Sequence, residues 1–273
     1  YSGGTLRNDG FLTNFSGTLI NEGTLRNLGV LANYSTLTNE GTLTNEGALT
    51  NSGTLTNDGT LTNDGTLTNN SNILGGGNFT QTAGTTINNG IFTHSLISID
   101  GGTLSGSGTI NGDVNIGDLG SVSPGNSPGI LTINGDFTSS GIFDVELGGL
   151  LASTEYDVLN VMGTANLAGT LSVNFFDLGS GLFDPSLGNT FDILFAENLY
   201  GEFDLLSLAL LGDGLDWQLD YLIDFEGSTT DLVRLSVVSA VPVPAAVWLF
   251  GSGLLGLIGV ARHKKASGLK ESV

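Results

Sequence analysis

The sequence predicts an all-β chain. It reads as a β-solenoid, a parallel β-helix wound right-handed, with a β-rich C-terminal cap and one C-terminal transmembrane helix. Three observations carry this. A six-residue period runs through the first quarter of the chain. Glycine occurs 43 times against 5 prolines, which points to tight turns and away from a proline-rich linker. Near the C-terminus, Pro242 to Ala261 is an uncharged stretch followed by a basic cluster.

The repeat occupies residues 1–74. Leucine stands at Leu6, Leu12 and Leu19, then at every sixth position to Leu67, and the Leu12 to Leu19 step is one residue longer than the others. An asparagine follows each leucine by two, from Asn8 to Asn69. The unit is Gly-Thr-Leu-Thr-Asn-(Asp/Glu). This period fits neither an α-helix nor a long alternating strand. It fits a short strand and a corner: β-branched threonines flank one inward leucine, and Asn-(Asp/Glu)-Gly supplies the bend. One unit cannot bury its leucine, but coils stacked about 4.8 Å apart turn the leucines into a continuous core. Three units per coil give an 18-residue triangle and about four coils over residues 4–72. Two units give a flatter form, and the period does not choose between them. Thr, not a small residue, follows each Leu, and this favours right-handed winding. The asparagine column reads as an amide ladder, with exposed turn residues as the alternative.

Residues 75–173 continue the β-helix with a looser unit, and 174–240 read as terminal coils or a cap over the open end, with Trp217 in its core. Residues 103–173, with Ser123-Pro-Gly-Asn-Ser-Pro-Gly129 as the most specific corner, resemble the distal β-helix of autotransporter passenger and adhesin proteins. That family ends in a membrane β-barrel, whereas here one apolar segment follows.

Pro242 to Ala261 as a helix is about 30 Å long, the thickness of a bilayer core. Trp248 stands near its outer end, and Arg262, Lys264 and Lys265 form a basic stop that the positive-inside rule leaves cytoplasmic, followed by a short tail over 266–273. The box Val241, Pro242, Val243, Pro244, Ala245, the Gly-rich apolar span and the basic stop, together residues 241–265, resemble the PEP-CTERM bacterial sorting signals. Val243 stands where the commonest form has Glu, as in the VPxPA class. The resemblance implies a Gram-negative exopolysaccharide producer. It also implies recognition, and cleavage near the box, by an exosortase-type membrane enzyme. The chain starts at Tyr1, so an export signal is expected to have been removed or to lie outside this sequence.

Residues 1–240 hold Arg7, Arg26 and Arg234 against 26 of the 27 acids, a formal charge of −23; the four basic residues and Glu271 of the tail bring the chain to −20. Such a surface repels nucleic acid and anionic lipid, which excludes both as partners of this region. Without cysteine there is no disulfide framework, thiolate metal site or cysteine nucleophile.

No catalytic residue is assigned. His94 stands alone and His263 belongs to the basic stop, so no Ser/His/Asp set can be assembled. Asp113, Asp118, Asp136 and Asp144 are spaced as corner residues. Glu40, Glu46, Asp58 and Asp64 share one repeat position; stacked like charges suggest weak, nonspecific Ca2+ binding, with no dedicated cofactor or metal site. The Thr-x-Thr ranks, such as Thr54/Thr56 and Thr60/Thr62, resemble those of β-solenoid antifreeze proteins, which makes ice binding one alternative. A polysaccharide-active β-helix enzyme is another. The expected function is non-catalytic: an exported, cell-surface, structural or adhesin-like protein among extracellular polysaccharide. It is held by its C-terminal helix with the N-terminus outside, or released after processing.

Overall fold

The computed structural model describes residues 3–240. The chain divides into two units, 1–238 and 239–273, and almost all of the second lies outside the described residues. The first unit is a three-sided β-solenoid of 27 strands. Strands Thr5–Asn8, Phe11–Asn14 and Thr18–Asn21 make the first coil and found the first, second and third faces. Each pairs in parallel with the strand three further on: Thr24 with Thr42, Val30 with Ala48, Thr36 with Thr54. The offset is 18 residues, so the triangular coil holds and the flatter one does not. In the first coil it is 19 on two faces, since Thr5 meets Thr24 and Phe11 meets Val30. The longer Leu12 to Leu19 step is absorbed at Gly17, which adopts a left-handed φ of 79°.

Alternation along four residues sets what faces inward. In Thr-Leu-Thr-Asn the threonines are outward and the Leu and Asn are buried. The leucines from Leu25 to Leu67 form the apolar core column on each face. Each asparagine closes a corner. Its carbonyl accepts N–H bonds from two consecutive residues of the next coil, as when Asp58 and Gly59 both donate to Asn39. The corner glycine is there because the coils touch: a Cβ on Gly59 would lie 2.0 Å from the Gly41 carbonyl oxygen.

The ladder alternative is the one realised. On the first face Asn8, Asn27, Asn45, Asn63 and Gln81 stack, each Nδ2 donating to the amide oxygen of the next at 2.7–3.2 Å. On the second face the series is Asn14, Asn33, Asn51, Asn69 and Asn88. On the third it runs Asn21, Asn39 and Asn57. Each Nδ2 spends its second hydrogen on a backbone carbonyl, as Asn45 does on Thr66 at 2.9 Å. Apart from Asn21 Oδ1, which begins the third ladder without a partner, these buried amides are therefore satisfied, and each net bond contributes about 1 kcal/mol.

The first two ladders finish in the same coil. Gln81 ends the first, with Thr86 Oγ1 donating to its amide oxygen at 2.6 Å where other coils place a leucine. Asn88 ends the second by donating to Thr109 O. Beyond them the inward positions become apolar, through Ile97, Ile99, Val114, Ile116 and Phe137 to Phe143, Val145 and Leu147. The 75–173 region is as much a stacked solenoid as the repeat, but its coils lengthen. Ile91 pairs with Thr109 at an offset of 18, Thr109 with Thr132 at 23, Ile130 with Val158 at 28 and Leu159 with Leu194 at 35.

The C-terminal strands depart from the parallel stack. Asp231–Ser239 pairs antiparallel with Thr190–Ala196, ending the parallel stack on the third face. Strand Leu215–Leu222 packs its Leu215, Trp217, Leu219 and Tyr221 against the core. Trp217 lies against Phe175 and Phe191 and donates Nε1–H to Ala209 O at 2.8 Å. It stays half-buried, so the expectation of a core residue holds only for one side of the indole. Among the described residues no helix is long and apolar enough to cross a membrane. The expected transmembrane helix, sorting box and basic stop lie outside the described residues.

Candidate functional surface

The three corners of the coil carry different chemistry. At the first corner Glu46 and Asp64 stack in register; at the third Glu22, Glu40 and Asp58 do so, after the ladder residues Asn21, Asn39 and Asn57. The four acids that share one repeat position thus split between two corners. The bidentate contact of Arg26 holds the Glu46 carboxyl below its ordinary range, and Arg7 does the same for Asp9. Among the described residues no group of three or more His, Cys, Asp or Glu is placed to hold a metal ion.

The second corner, between the second and third faces, differs from the others. In the repeat it presents Phe15 and Tyr34, stacked at 5.4 Å, and further on an outer amide row in which Asn89 donates to Asn70 and Asn126 to Asn89. Past the ladder's end it takes up the extra length of the coils. Residues 125–129, 148–157 and 176–189 are three successive insertions there, each joining a second-face strand to a third-face strand. The remaining corners stay tight, so one edge of the solenoid is elaborated and two are plain.

Buried and loop carboxylates hold these insertions. Asp157, fully buried, accepts Gly129 N–H at 2.8 Å on Oδ1 and Glu146 N–H at 2.9 Å on Oδ2, tying the first insertion to the foot of the second. Burial pushes its pKa up from 3.8 to about 7, outweighing the two N–H bonds that favour the anion. Glu155 Oε2 accepts the N–H groups of Leu150 and Leu151. Asp177 Oδ1 accepts those of Gly179 and Gly181, and these bonds lower its pKa. Nothing but the Ser-Pro-Gly-Asn-Ser-Pro-Gly corner signalled this edge in the sequence.

His94 is buried and structural. On the third face the ladder position after Asn57 is Gly75, and the one after that is His94. Gly75 has no side chain to offer, and at φ 127° a Cβ there would lie 2.1 Å from the Asn57 carbonyl. The imidazole reaches across the vacant rung. Asn57 Nδ2 donates to His94 Nε2 at 3.0 Å, two coils away, which leaves Nδ1 protonated and donating to Thr93 O. Burial lowers the pKa of the ring.

Of the four expected corner aspartates, Asp144 is instead an outward residue within strand Ile142–Leu147; Asp113 accepts the N–H of Asp136, and Asp136 that of Thr164, so each clips its coil to the next. Asp144 accepts from Asn174 Nδ2, and Asp118 is exposed. A pocket of about 370 Å³ lies among Glu197, Tyr200, Ile223, Asp224 and Asp231 with no basic residue in its lining. The Asp231 carboxylate is occupied there by the N–H groups of Leu199 and Asp224. The residues assigned from sequence to sorting (Val241, Pro242, Val243, Pro244, Ala245) and to the basic stop (Arg262, Lys264, Lys265) lie outside the described residues. No protein-family model matches this chain, and no curated protein matches it.

Proposed function

We propose that the chain is an exported, non-catalytic surface rod that works among extracellular polysaccharide as a structural or adhesin-like component. The right-handed winding, the transmembrane helix over Pro242–Ala261 and the exosortase-type sorting signal belong to the same reading. The observation that carries it is the repetition of identical outward rows. Thr36, Thr54 and Asn72 stand in register on one face, and Thr24, Thr42 and Thr60 on another. Rows of weak polar contacts at one-coil spacing suit a long, repeating ligand, because many weak contacts made together add to strong retention. The acidic exterior favours neutral glycans over polyanions.

Fractionation of the cells that make the protein, with mass spectrometry of its C-terminus, tests the sorting part. The expected result is a chain ending near Val241–Ala245 in the cell-surface or matrix fraction. An intact Arg262-His-Lys-Lys265 terminus in the inner membrane overturns it. Retention of the protein on insoluble neutral glycan, lost on shortening the repeat, tests the contact mechanism.

A further inference from the structure

We infer that the elaborated second corner of the C-terminal coils is a membrane-contacting edge, which lays the anchored protein against a zwitterionic lipid surface. This rests on the reading of Pro242–Ala261 as a membrane span and concerns the chain before its tail is cleaved.

The second corner gathers exposed leucines on successive coils. Leu150 and Leu151 stand in one insertion; Leu178, Leu182 and Leu187 in the next; and Leu210, 94% exposed, after the last second-face strand Leu205–Leu208. The insertions are neighbours: a Cβ on Gly148 would lie 2.9 Å from the Leu178 side chain. Exposed apolar side chains occur elsewhere too, as at Leu119, Tyr200 and Leu205, but this edge gathers six leucines over successive coils, and such a patch marks a contact surface. The backbone of these loops is prepared for a dry environment. Glu155 takes the N–H groups of Leu150 and Leu151, Asp177 those of Gly179 and Gly181, and Asn189 Oδ1 that of Ser186. The carboxylates of Glu155 and Asp177 are spent on the loops' own amides, so those amides enter no apolar phase unsatisfied, while Asp184 stays exposed between Leu182 and Leu187.

The path of the chain says which surface this edge meets. The last strand, Asp231–Ser239, runs antiparallel on the third face and therefore ends at the second corner. There Gly188 N donates to Val237 O at 2.9 Å, one residue from Leu187. Only Ala240 and Val241 separate Ser239 from Pro242. At about 3.5 Å per residue, three Cα steps span roughly 10 Å. On that reading, the span begins within that reach of Ser239, at the end of the last strand. The acidic charge of the coils selects neutral headgroups over anionic ones.

The chain has no cysteine, so single cysteines can be labelled cleanly. Full-length Leu151→Cys, Leu182→Cys and Leu187→Cys, each bearing an environment-sensitive fluorophore, are reconstituted into phosphatidylcholine vesicles beside Glu40→Cys at the third corner. Flotation reports separately whether the tail inserts. The expected result is a blue shift and quenching by lipid-borne quenchers at 151, 182 and 187, with none at 40. Inserted protein whose three corner labels stay water-like overturns this inference and leaves the membrane span standing. A chain that fails to float overturns both. A triple Leu151→Ser, Leu182→Ser, Leu187→Ser variant, changed only at exposed positions, is expected to float like the parent and to lose protection of this edge from protease in vesicles; unchanged protection also overturns the inference.

Discussion

The N-terminal coils, to Asn88, and the C-terminal coils, from Ile97 on, share one winding and differ in what fills it. In the first set each strand sends one leucine and one amide inward. In the second both inward positions are apolar, as with Val145 and Leu147, with Ser139 a buried exception. The difference governs length. An amide ladder needs each Asn directly over the last and each corner closed by that same Asn, so these coils stay at 18 residues, or 19 at two irregular steps. A hydrophobic interior asks only for volume and contact. On the second face the ladder passes from Asn88 to Gly106 and then Pro124, and the first insertion starts at residue 125. The first and third faces lose their amides as well and keep tight corners, so loss of the amide permits loops at the second corner without dictating them.

The largest break in this comparison is expected from Asn45→Leu. It strands Asn27 Nδ2 and Asn63 Oδ1 in a dry interior at about 1–3 kcal/mol each, a loss readable by chemical denaturation. Ile116→Val, at the equivalent inward position of the apolar set, should cost only about 0.5–1.5 kcal/mol. Equal losses would remove the distinction. Gly59→Ala, with no room for a Cβ, should cost roughly 1–3 kcal/mol in the same assay.

Acidity should separate the two regions by sign. His94 has its pKa lowered from 6.5 by burial, so its contribution is complete above about pH 6.5 and is lost as pH falls and the ring must take a proton that Asn57 opposes. Asp157 is raised from 3.8 to about 7. Its contribution is complete below 3.8 and is lost as pH rises through 7. Hydrogen exchange at pH 5 and pH 8 should therefore show the ladder coils opening more readily in acid and the insertion corner more readily in base. His94→Gln and Asp157→Asn should each flatten one slope and leave the other. The smallest expected effect is a slight rise in melting temperature in millimolar calcium over EDTA, from relief of the stacked acids at the first and third corners. Identical curves would remove the divalent-binding reading.

The strand, its inward leucine and its asparagine column were legible because all three live within six residues. Coil size was not, because three identical faces make every register of the repeat locally equivalent; only the pairing of Thr24 with Thr42 decides it. The roles of Gly75 and His94 escaped for a related reason. They occupy one rung of a ladder whose members stand 18 or 19 residues apart, and a lone histidine carries no local sign of that. The leucine edge was hidden because loops of growing length erase the period that made the rest readable. What remained visible was a proline-glycine corner and Leu150-Leu151, neither of which announces a shared edge.

The equivalence that hid the coil size has a consequence of its own. Units on the three faces are interchangeable, so removing six residues such as 53–58 takes out one side of a triangle and lets the next unit fill its place at the same 18-residue offset. The rod would shorten by a third of a coil, about 1.6 Å, and its far tip would turn by a third of a revolution relative to the leucine edge. The repeat region then behaves as an indexed screw. A change of one unit in the gene resets together how far the tip stands from the leucine edge and which way its exposed Phe15–Tyr34 pair points.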